Sequence, residues 1–340
     1  MTRQILVLQS FPEPRATTNP YLVLLSRSLQ STTGLTLHTF TWRRALLARI
    51  DVFHAHWPEN LLRSHSPWRS RARQLLFAMF LVKIATMRTA VVRTVHNLDQ
   101  HEGVSRAERW LLRIFDRLTV VRIALNYSTP DAGKPMVVIP HGHYRDWFDG
   151  AVVPTTEPGR LGYIGLIRSY KAVDTLVRAF LALPQRHDLR LDIAGKPSPP
   201  ELGDELTVLA FGDDRITLRF DYISDGELAD RIGRAEIVVL PYREMHNSGG
   251  ALLALSLDRP VLVPRNEIND QLSREVGPGW VYTYTPPIRG EDLVRAFTRS
   301  RSGQRCHPPD LGARDWATAG TAHVAAYREA MSLRSWGGKA

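Results

Sequence analysis

An α/β chain with two doubly wound parallel-sheet domains is what this sequence predicts, and three observations carry the expectation. Short apolar runs alternate with stretches of helical period along nearly the whole chain. The alternation stops once, at "FDGAVVPTTEPGR", a segment rich in Pro, Gly and Thr, and then restarts. The length, 340 residues, exceeds one ordinary domain and is comfortable for two.

In the first half, "QILVLQS" reads as a strand. "NPYLVLLSRSLQ" reads as a helix with Pro20 in its first turn, where the missing N–H costs nothing. "LTLHTFTW" and "DVFHAHW" read as strands. "SPWRSRARQLLFAMFLVKIATM" reads as a helix, with Ser66 as N-cap and Pro67 following. "AVVRTVHN" is a strand, "SRAERWLLRIFDRL" a helix, and "VVRIALN" and "MVVIPH" are strands. Strand and helix in alternation mean a parallel sheet covered on both faces. After the linker, "RLGYIGL" is a strand, "KAVDTLVRAFLAL" a helix, and "LRLDIAGK" and "ITLRFDYI" are strands. "DGELADRIGRA" is a helix, "EIVVLPY" a strand, "GGALLALSL" a helix and "RPVLVPR" a strand. The tail "DWATAGTAHVAAYREAM" is helical and is expected to pack back onto the first domain.

Composition narrows the class. At 44% hydrophobic and 23% charged, the chain reads as soluble and globular. Its one cysteine, Cys306, allows no disulfide within the chain and points to a reducing compartment. The apolar run in "MTRQILVLQSFP" is too short for a signal peptide and reads as the first buried strand. The apolar run "LLFAMFLV" ends at Lys83, far short of a membrane span. The formal charge of +10 is unevenly spread: residues 1–150 hold 20 Lys and Arg against 10 Asp and Glu, and the rest hold 24 of each. The whole excess lies in the first half, which is therefore expected to face an anionic partner.

In open parallel sheets, ligands bind beyond the C-terminal ends of the strands, and with two such domains the expected site is the cleft between them. In the second half those ends carry cations and glycines. Arg168 and Lys171 follow the strand that ends at Gly165, and Lys196 follows Gly195. Ser248, Gly249 and Gly250 open a helix whose free N–H groups and positive dipole end make an anion site. Together they would hold a diphosphate without a metal. In the first half the strand ends are rich in histidine. "FHAHWPEN" gives His54, His56, Trp57 and Glu59; "TVHNLDQHE" gives His96, Asn97, Asp99, His101 and Glu102; "IPHGHY" gives His141, His143 and Tyr144. No cysteine lies near and no HExxH pattern is present, so no metal is expected. Some of these histidines are expected to be buried and hydrogen-bonded. Carboxylates beside histidines suit proton transfer, where a base must lie within hydrogen-bond reach of the proton it takes.

These residues carry a family resemblance over nearly the whole chain. "GLIRSYKAVDTLVRAF" and "LPYREMHNSGGALLALSLDRPVLVPR" resemble the donor-binding segments of GT-B glycosyltransferases, enzymes with two Rossmann-like domains facing across a cleft. "HAHWPEN", "TVHNLDQHE", "IPHGHY" and "GLIRSYK" resemble bacterial β-mannosyltransferases that extend lipid-linked exopolysaccharide precursors from GDP-mannose. The resemblance implies an acceptor-binding domain over residues 1–150, with the helix at 315–331 packed back on it, and a nucleotide-sugar-binding domain over 151–314. It implies a donor site of His96, Gly165, Arg168, Lys171, Lys196, Tyr242, Glu244, Asn247, Ser248, Gly249 and Gly250. The acceptor side would hold His56, Trp57, Glu59, His141, His143 and Tyr144, and the catalytic loop Glu102, Asp99 and His101. There is one departure. Many retaining GT-B enzymes carry two glutamates eight positions apart before a "GxPV" turn. Here that turn is "DRPV", Glu244 stands near the first position, and Leu253 occupies the second. The missing carboxylate favours an inverting enzyme. No cofactor is implied beyond the nucleotide sugar as co-substrate.

Between Trp42 and Arg93 stand ten Arg and Lys against Asp51 and Glu59. Trp42 and Trp68 are expected at lipid headgroup level, with Arg43, Arg44, Arg69, Arg71 and Arg73 on anionic lipids. The resemblance therefore implies a cytoplasmic protein, peripheral on the inner face of the cell membrane. No helix-turn-helix, zinc knuckle or RNP pattern supports nucleic acid as the partner. Two other classes remain open from sequence: a sugar-nucleotide epimerase of the same fold, and a non-catalytic nucleotide-sugar or nucleic-acid binder. The carboxylates Asp99 and Glu102 argue against the binder.

Overall fold

The computed structural model describes residues 3–96, 105–185, 188–303, 305 and 307–336. The chain divides into two units, Met1–Gly142 with Ala313–Ala340, and His143–Gly312. The first runs β1 (Ile5–Gln9), α1 (Pro20–Ser31), β2 (Leu35–His38), α2 (Trp42–Leu47), β3 (Val52–Ala55), α3 (Pro67–Thr86), β4 (Ala90–Val95), α4 (Arg106–Leu118), β5 (Thr119–Ala124) and β6 (Met136–Val138). The second runs β7 (Arg160–Ile164), α5 (Val173–Leu181), β8 (Arg190–Ala194), α6 (Glu201–Ala210), β9 (Ile216–Arg219), α7 (Asp225–Arg234), β10 (Ile237–Val239), α8 (Gly249–Ser256), β11 (Val261–Pro264), α9 (Glu267–Val276), β12 (Val281–Tyr284) and α10 (Gly290–Ser302). The terminal helix α11 (Trp316–Trp336) belongs to the first unit.

Each unit is built on a six-stranded sheet, ordered β2-β1-β3-β4-β5-β6 in the first and β12-β11-β10-β7-β8-β9 in the second. Every pairing is parallel. The central strands β3, β10 and β11 are buried at every residue, because helices cover both faces and neither side is left to water. In the first unit the core under α3 and α4 is aromatic. Phe53 meets Phe80 edge-to-face at 4.9 Å, and Phe77, Phe115 and Leu62 close around them. Burying each such side chain contributes about 1.5–3 kcal/mol. The order of strands reverses between β1 and β3 in the first sheet and between β7 and β10 in the second. At these points the loops diverge to opposite faces and leave a crevice at the strand ends.

Local chemistry sets most boundaries. The Asn19 side chain accepts from the Tyr21 N–H ahead of Pro20, and Ser105 and Glu108 form a reciprocal capping box on α4. The strand expected through Trp42 stops at His38. The Thr41 hydroxyl instead accepts from the Arg44 N–H and starts α2, so Trp42 is its first residue. Ser66 holds the cap position of α3, but its side chain makes no capping bond. Besides α2, four elements stand where the sequence pattern assigns none: α6, α9, β12 and α10. Of these, α9 and α10 are largely polar and bury only narrow stripes, Asn269, Leu272 and Val276 in one and Leu293, Ala296 and Ser300 in the other. Such stripes give a weak periodic signal.

Helix α11 lies against α1, β3, β4 and β5. A β-carbon on Gly320 would sit 2.4 Å from Thr32 Oγ1 and 2.6 Å from Ser28 Oγ, so only glycine allows this approach to α1. The packing brings His323 and Tyr327, one helical turn apart, against the buried strand β3.

Candidate active site

In the second unit the crevice between β7 and β10 is lined by the two loops that the sequence singles out. Gly165 ends β7 at φ +139°, and Ala172 turns the chain into α5 at φ +48°. The β7 loop is laced to the loop after β8. Ile167 N–H donates to Lys196 O at 3.0 Å, and Ser198 N–H donates to Ile167 O at 2.9 Å. Gly195, at φ +150°, lies so close that a β-carbon there would sit 1.9 Å from Gly165 O. It is laced equally to the loop after β10, where Arg243 N–H donates to Tyr170 O at 3.1 Å.

Lys171 is carried into this framework. Its ammonium stands 5.1 Å from the ring centre of Tyr242, and a β-carbon on Gly165 would lie 3.8 Å from its Nζ. Burial first, and then the neighbouring Arg168, lower its pKa from the usual lysine value to about 8. Ser248 Oγ accepts from Ala251 N–H at 3.1 Å and so opens α8, with Tyr242 Oη about the reach of a van der Waals contact from Gly250. Among the described residues no carboxylate pairs with Arg168, Lys171 or Lys196. Three cations thus stand at one sheet edge beside a helix N-terminus, with no carboxylate counter-ion among those residues, an arrangement whose charge suits an anion. Lys196 and Glu244 are exposed, and Asn247 is half-buried. Asp258, in the "DRPV" turn, holds φ +54°, a conformation that glycine adopts more readily. Leu253 lies on α8, in the position that the sequence comparison gives to a second glutamate.

In the first unit the histidines form a buried hydrogen-bonded chain. Gln9, at the end of β1, donates from Nε2 to Tyr327 Oη at 3.3 Å, and its Oε1 meets His56 Nε2 at 3.1 Å. His56 Nδ1 meets His96 Nε2 at 3.1 Å. On the other side His54 Nδ1 meets Tyr327 Oη at 2.8 Å, and His54 Nε2 meets Thr94 Oγ1 at 2.8 Å. Trp57 stacks on His96 with ring centres 3.9 Å apart and planes 20° from parallel. Tyr21 closes the cluster, 5.3 Å from His96 and 4.6 Å from His141. Trp316 fits against Gly142, where a β-carbon would sit 2.4 Å from its ring. Burial drives the pKa of His54, His56 and His96 well below the usual histidine value, with their histidine neighbours adding to the effect. Burial likewise lowers His141 and His323 to about 4. All five are neutral near pH 7.

The sequence-predicted residues therefore fall into two sets. Gly165, Arg168, Lys171, Tyr242 and Gly250 gather at the second sheet's edge, with Lys196 joined through the backbone. His56, Trp57 and His96 gather at the first, and Glu59 lies in the short turn Pro58–Leu61. His141 falls in the first unit, while His143 and Tyr144 fall in the second, where Tyr144 N–H donates to Ser256 Oγ at 2.8 Å. Asn97, Asp99, His101 and Glu102 lie outside the described residues. Sequence reasoning missed Gln9, Thr94, His323 and Tyr327. The last two had a usable signal, His and Tyr one helical turn apart on an otherwise Ala-rich face. Among the described residues, no three of His, Cys, Asp and Glu are placed to hold a metal ion.

The basic face of the first unit is also resolved. α3 buries Phe77, Phe80, Leu81 and Ile84 and turns Trp68, Leu75, Met79 and Val82 outward, each more than half exposed. Arg43, Arg44, Arg69, Arg71 and Arg88 are exposed nearby in the sequence. Trp42 does not join this surface as expected. It packs edge-on against Phe40 at 5.0 Å, because it opens α2 over the core. Among the described residues no helix is long and apolar enough to cross a membrane.

Two six-stranded parallel-sheet units of this kind make up the GT-B fold, the fold of the solved glycosyltransferases that this chain is similar to. The fold is shared with Anabaena HepE in complex with UDP and glucose (TM-score 0.59, 13% identity, 98% of this chain and 100% of that one). It is shared too with the catalytic domain of starch synthase IV from Arabidopsis thaliana bound to ADP and acarbose (TM-score 0.63, 11% identity, 98% and 100%). No protein-family model matches the chain. Over 328 residues, however, it is 42% identical to GDP-mannose:glycolipid 4-beta-D-mannosyltransferase of Xanthomonas campestris pv. campestris, covering 96% of this chain and 93% of that protein. The chain belongs to the family of the GDP-mannose:glycolipid 4-beta-D-mannosyltransferases. It is an enzyme, a hexosyltransferase of the GT-B fold.

Two outcomes follow from these charge states. Lys171 loses its proton as pH rises through about 8. Inorganic pyrophosphate should therefore bind up to about tenfold more weakly at pH 9 than at pH 7, and Lys171→Arg should flatten that profile in a calorimetric titration. A flat profile in the unaltered protein would remove Lys171 from the anion site. The histidines act on stability with the opposite dependence on pH. The unfolded chain takes up a proton on each near pH 6.5 and the folded chain does not, so stability is full above that pH and falls as pH drops towards 4. Each contributes about 1.4 kcal/mol per pH unit in that window, and urea midpoints measured at pH 7.5, 6 and 5 should fall steadily. Equal midpoints would mean that the histidines are charged or exposed.

Proposed function

We propose that this enzyme transfers mannose from GDP-mannose to a hydroxyl of a lipid-linked glycan, by a single displacement that inverts C1 and needs no metal ion. The observation that carries the reading is the 42% identity, over nearly the full length of both chains, with a relative named for that donor and a glycolipid acceptor. The anion site supplies the chemistry. As the acceptor oxygen attacks C1, the C1–O bond to the phosphate breaks and its electron pair leaves with the diphosphate. Arg168, Lys171 and Lys196, with the α8 N–H groups behind Ser248, Gly249 and Gly250, stabilise that charge more in the transition state than in the ground state. Fixed cations take the role that a divalent ion has in other transferases. Tyr242 holds Lys171 in place, and Glu244 and Asn247 face the nucleotide.

The acceptor proton must go to a base on the other side of the sugar. That role falls to Glu102, oriented by His101, with Asp99 as the second candidate; all three lie outside the described residues. His96, at the end of β4 directly before them, contacts a hydroxyl of the donor sugar. Trp57, Glu59, His141, His143 and Tyr144 are assigned to the acceptor side. His56 engages Gln9 and His96 with its two ring nitrogens and so supports the site from behind. The lipid part of the acceptor is reached at the membrane surface by α3, whose Trp68, Leu75, Met79 and Val82 stand among arginines.

The reaction is checked by incubating the protein with a panel of nucleotide sugars, with and without a lipid extract, in excess chelator. GDP release and a β-linked mannosyl lipid should appear only with GDP-mannose and lipid together. Glu102→Gln should lower turnover by about two to four orders of magnitude with donor binding intact. Conversion of one nucleotide sugar into another without acceptor would mark an epimerase, and full activity of both Glu102→Gln and Asp99→Asn would place the base elsewhere. Membrane docking is checked by flotation with vesicles. Binding should require anionic lipid and fall with salt, and Trp68→Ser with Leu75→Ser should weaken it about tenfold or more. Equal binding to neutral and anionic vesicles at low salt would contradict it.

A further inference from the structure

We propose that helix α4 is a second membrane element, an arginine rail that holds the phosphates of anionic lipids beside α3; the inference rests on the reading of α3 as the helix that meets the bilayer. α4 buries Glu108, Leu111, Leu112 and Phe115. Its opposite face carries Arg106, Trp110, Arg113 and Arg117, spaced i, i+4, i+7 and i+11, with Arg109 beside them. All four arginines are exposed, and Trp110 stands 61% exposed in their midst. At the rise of an α-helix the row is about 16 Å long.

Folding does not account for this row. Arg106 opens α4 and Arg109 follows three residues on, at the positive end of the helix dipole, where a cation is unfavourable. Of the four, only Arg117, in the last turn, suits the dipole. Arg109, Arg113 and Arg117 follow one another at intervals of four, so like charges are neighbours along the helix. None of the four has a carboxylate partner among the described residues. The two carboxylates of α4 are engaged elsewhere, Glu108 with Arg63 at 3.5 Å and Asp116 with Arg93 and Arg122 at 3.4 and 2.7 Å.

The neighbouring helices select the partner. α3 packs against both α4 and α2, and all three rest on one core. Trp68, Leu75, Met79 and Val82 make an apolar ridge along α3, and neither α2 nor α3 contains a carboxylate. An apolar ridge thus lies beside a cationic row. A bilayer interface offers the matching pair, acyl chains for the ridge and headgroup phosphates for the guanidinium forks. A second copy of the chain fits badly, because a two-fold contact through this face would set arginines against arginines. Nucleic acid would leave the ridge in water.

The test is flotation with vesicles of phosphatidylcholine, with and without phosphatidylglycerol, run beside urea unfolding and sedimentation of the free protein. Arg106→Gln with Arg109→Gln and Arg113→Gln should weaken binding to the anionic vesicles by about tenfold or more, since each cation at such a surface contributes a factor of about five. The same variant should unfold at an equal or higher urea midpoint, because it relieves the dipole and the like charges. Arg178→Gln with Arg190→Gln and Arg274→Gln removes as much charge from exposed positions of the second unit and should bind like the unaltered protein. Undiminished binding of the α4 variant overturns the proposal; if Trp68→Ser with Leu75→Ser still weakens binding, the reading of α3 survives it. An equal loss in the second-unit variant would make the attraction one of net charge alone and overturns the proposal too. So does a lowered urea midpoint in the α4 variant, which would make the arginines structural. An unaltered protein that fails to float with anionic vesicles ends both the proposal and the reading of α3. A dimer in free solution that Trp68→Ser with Leu75→Ser dissociates gives the face to a second copy of the chain and overturns the proposal.

Discussion

A parallel strand delivers every loop that follows it to the same edge of its sheet, and both units of this protein depend on that constraint. The loops after β7, β8 and β10 meet at one edge because their strands run side by side in the order β10-β7-β8. Their backbones are then laced together, closely enough that Gly195 must be glycine to clear Gly165 O. This lacing is what allows cations to be held near one another. Like charges in flexible loops would drift apart into water, where their repulsion is screened. Here the strand ends fix the loops, and Lys171 is drawn under Tyr242 with its charge already partly destabilised. An anion placed beside it would relieve that cost with little rearrangement of the loops.

The first unit uses the same edge for the opposite electrostatic purpose. Its strand ends carry polar side chains that burial keeps uncharged. Five neutral histidines packed beside two tyrosines would be a costly core if any N–H or lone pair lacked a partner. The chain through Gln9 satisfies most of them, although His323 Nε2 is buried without a partner among the described residues. The acid sensitivity of such a cluster and its directional protons have one origin: imidazoles forced to stay neutral must each choose a tautomer.

The cation-bearing loops of the second unit were legible because their signal is local. Gly165, Arg168 and Lys171 lie within one strand–loop–helix turn, and Ser248 to Gly250 announce a helix start by residue type alone. Trp42 misled for a local reason too: its apolar neighbours extend the strand pattern, and the cap by Thr41 ends it earlier. Helices α9 and α10 were hidden by polarity. The histidine-rich strand ends were visible as a concentration of residues, but their arrangement was not. His56 and His96 are 40 positions apart and Gln9 and Tyr327 are 318 apart, and no periodicity links them.

By itself the sequence determined the alternation of strands and helices, the two parallel sheets, the cations of the loop after β7 and the placing of all excess positive charge in the first half. Each of these is set by neighbours along the chain, through apolar period, capping chemistry and glycine at turns. Only the tertiary structure decided that Lys171 is half-buried beside the Tyr242 ring, that Trp68 faces outward while Trp42 packs on Phe40, and that the terminal helix supplies Tyr327 to the amide of Gln9. Those outcomes depend on which surfaces exclude water and on which hydrogen-bonding atoms are brought within 3 Å or so of one another. Both are properties of the packed chain, because desolvation and hydrogen bonding act through space, between residues that the sequence keeps far apart.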